Sequence, residues 1–207
     1  ALIEAKMAPI ARTPQPGFSV AWREDTGRED ALAAAWARAA DLAIVPRPLA
    51  EAEAATTALF EALVFEGGLP VLLAPPGWNN SKSVGTRILI GWNGGAEAAG
   101  AIAAAMPFLE KASAVKAVSM SGWLDGPNSL ERVTERLAWR GIASKHEFIE
   151  ANGPRAIGKA LLKAAEDFDA NLIVMGAYTQ SRIRQMILGG VTRHAVSQAE
   201  CPLLLAR

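Results

Sequence analysis

Two stretches of this chain have residue types and spacing from which chemistry could be built. In the first, Gly176 closes the apolar run Leu172-Ile-Val-Met and is followed by Thr179, Arg182, Arg184, the pair Gly189-Gly190, Val191, Thr192 and Arg193. A set of this kind suits anion binding. Glycines let a ligand approach the backbone, free amides at a helix start point at negative charge, and arginines raise the local potential. The second stretch, Asn93-Gly94-Gly95, is a polar turn at the end of another apolar run. Both have plainer readings. The glycines equally well let a helix pack closely, and Asn-Gly is a common choice where a tight turn needs positive φ.

Covalent and metal chemistry find little support. There is no Gly-x-Ser-x-Gly elbow and no Walker sequence with its lysine, so a weak ATPase is the most that hydrolysis could amount to. Cys201 stands before Pro202 at a helix-to-strand junction and reads as a small buried hydrophobe. His194 follows Gly190 on a helix, where it could approach an anion or lie on the helix surface. His146 sits in an edge-like strand, and two separated histidines have no metal-ligand spacing.

The elements that would hold these residues follow from hydrophobic periodicity. Leu172 to Met175 is continuous and apolar, as a strand covered on both faces should be. Arg87-Ile-Leu-Ile-Gly, Val115 to Met120 and Pro202-Leu-Leu-Leu-Ala read as strands. Ser144 to Glu150 alternates like an edge strand. Between them lie apolar stripes at helical spacing: Ile102, Ala105, Met106 and Leu109, kinked near Pro107, then Leu130, Val133 and Leu137, then Ile157, Leu161, Ala165 and Phe168. From residue 87 onward the order is βαβαβαβαβ, which predicts an α/β fold with a parallel sheet and helices on both faces.

The first 80 residues repeat the end of that order: Phe18 to Trp22, an alanine-rich helix, Leu42-Ala-Ile-Val, a helix ending at Gly67-Gly68, and Pro70-Val-Leu-Leu-Ala. Ala40-Asp-Leu-Ala-Ile-Val and Ala170-Asn-Leu-Ile-Val-Met agree most closely. Residues 77–86 are polar and rich in turn formers. The organisation read here is a partial domain over 1–80, a linker at 81–86 and a complete domain over 87–207. Val71-Leu-Leu-Ala and Leu203-Leu-Leu-Ala are apolar on both faces and end the two halves, so each should meet the other to close an open edge.

Composition excludes several classes. The chain has 207 residues, is 51% hydrophobic and 20% charged, and balances 21 basic against 21 acidic residues. With zero net charge, no global field draws it to nucleic acid or an anionic membrane, and neither partner is expected. Six tryptophans are scattered without the basic interleaving of a nucleic-acid platform. No apolar run is long enough to span a bilayer, and the single cysteine forms no internal disulfide, so the expected compartment is the cytoplasm.

Gly176 through Val191 resembles the phosphate-binding signature of the universal stress protein family: Gly, two residues, Gly, nine residues, Gly, then Ser or Thr. Gly176 and Gly189 match its first and last glycines. Thr179 replaces the middle glycine and Gly190 replaces the hydroxyl residue. The resemblance implies a tandem member whose first domain lacks its opening strand, helix and second strand. It implies two Rossmann-like domains, of the adenine nucleotide alpha hydrolase-like kind, with strand order 3-2-1-4-5 and their last strands paired as an intramolecular pseudo-dimer; a homodimer would be a further assembly. It also implies a stress-response regulator binding ATP or another adenine nucleotide through Asn93, Gly94, Gly176, Thr179, Arg182, Gly189, Gly190, Val191 and Thr192, or an interaction module acting through its dimer surface. The turn where the family usually carries an aspartate holds Asn93. With Thr179 and Gly190 this predicts weak binding without metal, tightened by Thr179→Gly together with Gly190→Ser.

Overall fold

Most apolar runs without alternation become central strands here and the alternating run Ser144–Ile149 becomes an edge, but Ala43–Pro46, expected to be buried, is the other edge, paired on one side only and with Ile44 66% exposed. The computed structural model describes residues 21–22, 24–47, 58–78, 83–121, 123, 128–177 and 190–207. Its strands are β1 (Ala43–Pro46), β2 (Val71–Ala74), β3 (Arg87–Gly91), β4 (Ala114–Met120), β5 (Ser144–Ile149), β6 (Leu172–Gly176) and β7 (Leu203–Ala206). Its helices are α1 (Glu29–Ala37), α2 (Ala62–Gly67, wound as a π-helix), α3 (Ala96–Ala104), α4 (Met106–Leu109), α5 (Asn128–Ala138), α6 (Pro154–Asp167) and α7 (Gly190–Gln198). Pro107 lies in the first turn of α4, so the expected kink is a break and restart, because proline has no N–H to continue a ladder.

All seven strands form one sheet in the order β1-β2-β7-β6-β3-β4-β5. The expectation was two domains, each ordered 3-2-1-4-5, with their last strands paired; the sheet instead runs on as one seven-stranded order through the pairing of β2 with β7. Val71–Leu73 run antiparallel to Leu205–Leu203, and every other neighbouring pair is parallel. The physical reason is the one that brought these strands together: two apolar edges are removed by a single junction. Two further contacts bridge the halves. Arg47 donates to the carbonyl of Ala199, and the Arg207 guanidinium lies 5.1 Å from the centre of the Phe65 ring.

Alternation along the strands sorts the core into two layers. Leu89, Val118, Ile173, Met175 and Leu205 face α2, α6 and α7, while Ile88, Ile90, Val115, Val174 and Leu204 face α3, α4 and α5. The strand expected at Phe18 to Trp22 lies outside the described residues except for Ala21 and Trp22, which are not in a strand. Of the expected linker, residues 81–82 lie outside them, and Ser83 and Thr86 are tied to the start of β3 through the Asn171 amide. Asn171 Oδ1 also accepts the Arg87 N–H at 2.9 Å, while the Arg87 guanidinium donates to the Phe168 carbonyl at 2.8 and 3.0 Å. These bonds pin β3 against the corner leading into β6, so the opposite ends of the two strands emerge side by side.

Candidate functional site

β3 and β6 are parallel neighbours, with Gly91 opposite Met175, but the chain leaves them in opposite directions across the sheet. A crevice beyond the carboxyl ends of two such strands is where open α/β sheets bind ligands. Asn93, Gly94 and Gly95 follow the end of β3, and Gly176 and Ala177 stand at the end of β6. Gly190, Val191 and Thr192 open α7. Thr179, Arg182 and Gly189 lie outside the described residues.

Several of the predicted residues have structural duties. Asn93 Oδ1 accepts the Gly95 N–H at 2.9 Å, closing a local turn, and Gly94 has φ of 79°, a conformation that side chains rarely adopt. Gly176 is a packing glycine: a Cβ there would stand 2.6 Å from the Ala98 nitrogen and 2.8 Å from the Glu97 carbonyl carbon. The first turn of α3 therefore rests directly on β6. A Cβ on Gly190 would stand 2.8 Å from Pro154 Cβ, so a serine at 190 requires the first turn of α6 to move. The double change expected to tighten binding would thus gain a hydroxyl while disturbing packing, and Thr179→Gly alone is the cleaner test. Thr192 is buried, as is Ala195 one turn later on the same helix.

Sequence reasoning missed two residues here. Glu97, in the first turn of α3, is only 6% exposed. Trp123, after β4, brings its ring to 3.5 Å from where a Gly91 Cβ would be and forms an apolar wall. The tryptophan gave no periodic signal because it stands in a loop. The glutamate looked ordinary, since acids are common in a first helical turn.

The other candidates lie away from this crevice. The His194 ring and Cβ cover Gly158 of α6 at 2.8 to 3.0 Å from its missing Cβ, and His146 is exposed on β5. Burial raises the Cys201 thiol from an ordinary 9.0 to about 11. The thiol is thus favoured over the thiolate, and two units mean about a hundredfold less thiolate than in an unfolded chain near pH 8. Alkylation with iodoacetamide at pH 8 should accordingly be slower in the folded protein than in urea; equal rates would contradict the partly buried placement. Among the described residues no cluster of three histidine, cysteine or acidic side chains could hold a metal, and no helix is long and apolar enough to cross a membrane.

Comparison with known proteins bears on the same region. The model of the universal stress protein family matches residues 96–207. Universal stress protein YxiE of Bacillus subtilis is 37% identical over 84 residues, which is 40% of this chain and 53% of that protein. The chain thus aligns with about half the length of that curated relative. A universal stress protein structure from Archaeoglobus fulgidus superposes with a TM-score of 0.75 at 17% identity, covering 100% of this chain and 78% of its own. The UspA structure from Lactobacillus plantarum gives 0.50 at 15% identity, covering 61% of this chain and 100% of its own. At these identities the two structures bear on the fold alone.

Proposed function

The chain belongs to the universal stress protein family, and on that premise we propose that it is a cytoplasmic stress-response regulator with a weakened adenine-nucleotide site in its second domain, residues 87–207. The observation that supports this reading is that β3 and β6 end side by side as parallel neighbours, with the turn Asn93–Gly95 after one and Gly176–Ala177 at the end of the other. Residues 1–80 act as a partial domain joined through β2 and β7. The hydroxyl missing at 190 and the threonine at 179 together remove roughly 2 to 3 kcal/mol. A loss of that size turns a micromolar site into one on the order of 0.1 mM. Asn93 supplies no charged ligand for a hard cation and its oxygen already accepts the Gly95 N–H, so binding should be indifferent to magnesium.

Titration calorimetry with ATP, with and without magnesium, tests this on the full chain and on Thr179→Gly. Weak binding, unaffected by magnesium and tightened by the substitution, is the expected result. Tight magnesium-dependent binding, or none at all, would overturn it. A second reading, an interaction module without nucleotide, is favoured by the structural duties of Asn93, Gly176 and Gly190. Ligand-observed NMR with ATP at millimolar concentration separates the two, because only the regulator should bind, and a site on the order of 0.1 mM is filled at that concentration.

A further inference from the structure

Glu97 is the polar group in the crevice that no structural duty accounts for. Its Cβ is 3.0 Å from where a Gly176 Cβ would stand, so the side chain leaves α3 directly beside the end of β6. Its Oε2 turns back to within 2.8 Å of where a Gly95 Cβ would stand, beside Asn93 Oδ1 at 3.1 Å from the same point. The residue is 94% buried, since its exposure is 6%, and among the described residues no hydrogen bond or ion pair reaches its carboxylate. Among the described residues the enclosed side-chain oxygens without a partner are those of Ser119 and Ser144, so the Glu97 carboxylate keeps contact with solvent and can exchange water for the donors of a ligand. Glu97 already places a negative charge in the first turn of α3. A phosphate placed there would meet like charge at close range.

We propose that Glu97 is a specificity-determining residue that accepts hydrogen bonds from the hydroxyls of a sugar diol, so that the α3 side of the crevice takes the ribose of a nucleoside and any phosphate lies elsewhere. This deepens the adenine-nucleotide reading and rests on it. Two adjacent O–H donors of a diol match the two oxygens of a carboxylate. Gly95 leaves the approach to Oε2 open, and any side chain at that position would fill it.

The test compares adenosine with 2′,3′-dideoxyadenosine by calorimetry or ligand-observed NMR, on the unmodified full chain and on Glu97→Gln. The unmodified chain should prefer adenosine by about tenfold, as a charge-assisted hydrogen-bond pair requires. In Glu97→Gln that preference should fall to about twofold through weaker adenosine binding, with dideoxyadenosine unchanged. Equal binding of both compounds by the unmodified chain would overturn the role of Glu97 while leaving the adenine site standing. A preference that survives Glu97→Gln would assign the diol to another residue. If neither compound binds, the crevice reading falls and this inference falls with it.

Discussion

Gly176→Ala is expected to lower the stability of this protein by about 3 kcal/mol or more, the upper range for forcing atoms into a filled core. The added Cβ would meet the Ala98 nitrogen at 2.6 Å and the Glu97 carbonyl carbon at 2.8 Å, both backbone atoms of the first turn of α3. A flexible side chain can swing aside at little cost, whereas here the helix itself must lift off β6. For a chain of this length each kcal/mol shifts the melting temperature by roughly 2 to 4 °C, so thermal unfolding should move down by about 6 to 12 °C. Gly141→Ala makes the control. Gly141 has φ of 76° but open space around it, so alanine there adds backbone strain of only ~1 kcal/mol. If the two variants melt together, steric contact with α3 is not why position 176 is glycine. The lifting of α3 would also displace Glu97, so this variant should lose ligand discrimination along with stability.

That result bears on how the signature glycines are read. From the sequence, Gly176 looks like a place where a phosphate approaches the backbone, and Gly190 stands where the signature has a hydroxyl. In the structure the atoms nearest their missing side chains belong to the protein: α3 in one case and Pro154 in the other. Glycine spacing reports that something comes close, without saying whether it is a ligand or a helix. Periodicity is more telling because burial imposes it directly. Leu172 to Met175 read as a strand covered on both faces, and all four are at most 5% exposed. Ser144 to Glu150 read as an edge strand, and β5 over Ser144–Ile149 lies at one end of the sheet. The junction of β2 with β7 was expected from the two apolar runs that end the halves, but local pattern does not reveal how a sheet continues beyond a paired edge, and β1 came out as an exposed edge. Glu97 was invisible for a related reason. Its burial depends on β6 and the Asn93 turn closing over it, and these are contacts of long sequence separation.

Leu161→Ala tests the core beneath the crevice. Leu161 is fully buried in α6, and its Cδ1 lies 3.2 Å from where a Gly91 Cβ would be, at the carboxyl end of β3. Leucine at 161 and glycine at 91 are thus complementary, the side chain filling the space that the strand leaves open. Truncation removes the buried methyls and leaves a cavity bounded by rigid sheet on one side, which limits collapse. Such changes cost ~2 to 5 kcal/mol, and the stiffness of the β3 floor argues for the upper half of that range. Urea denaturation should show the midpoint falling with the slope unchanged, the sign of lost stability in an otherwise intact fold. The cavity would open directly under Gly91 and next to Trp123, so the wall of the crevice loosens as the core weakens. Adenosine affinity should therefore fall in Leu161→Ala although residue 161 touches no ligand, and a partner change of Gly91→Ala should restore part of both losses by refilling the gap. An unchanged urea midpoint in Leu161→Ala would show that α6 does not pack on β3 through this leucine.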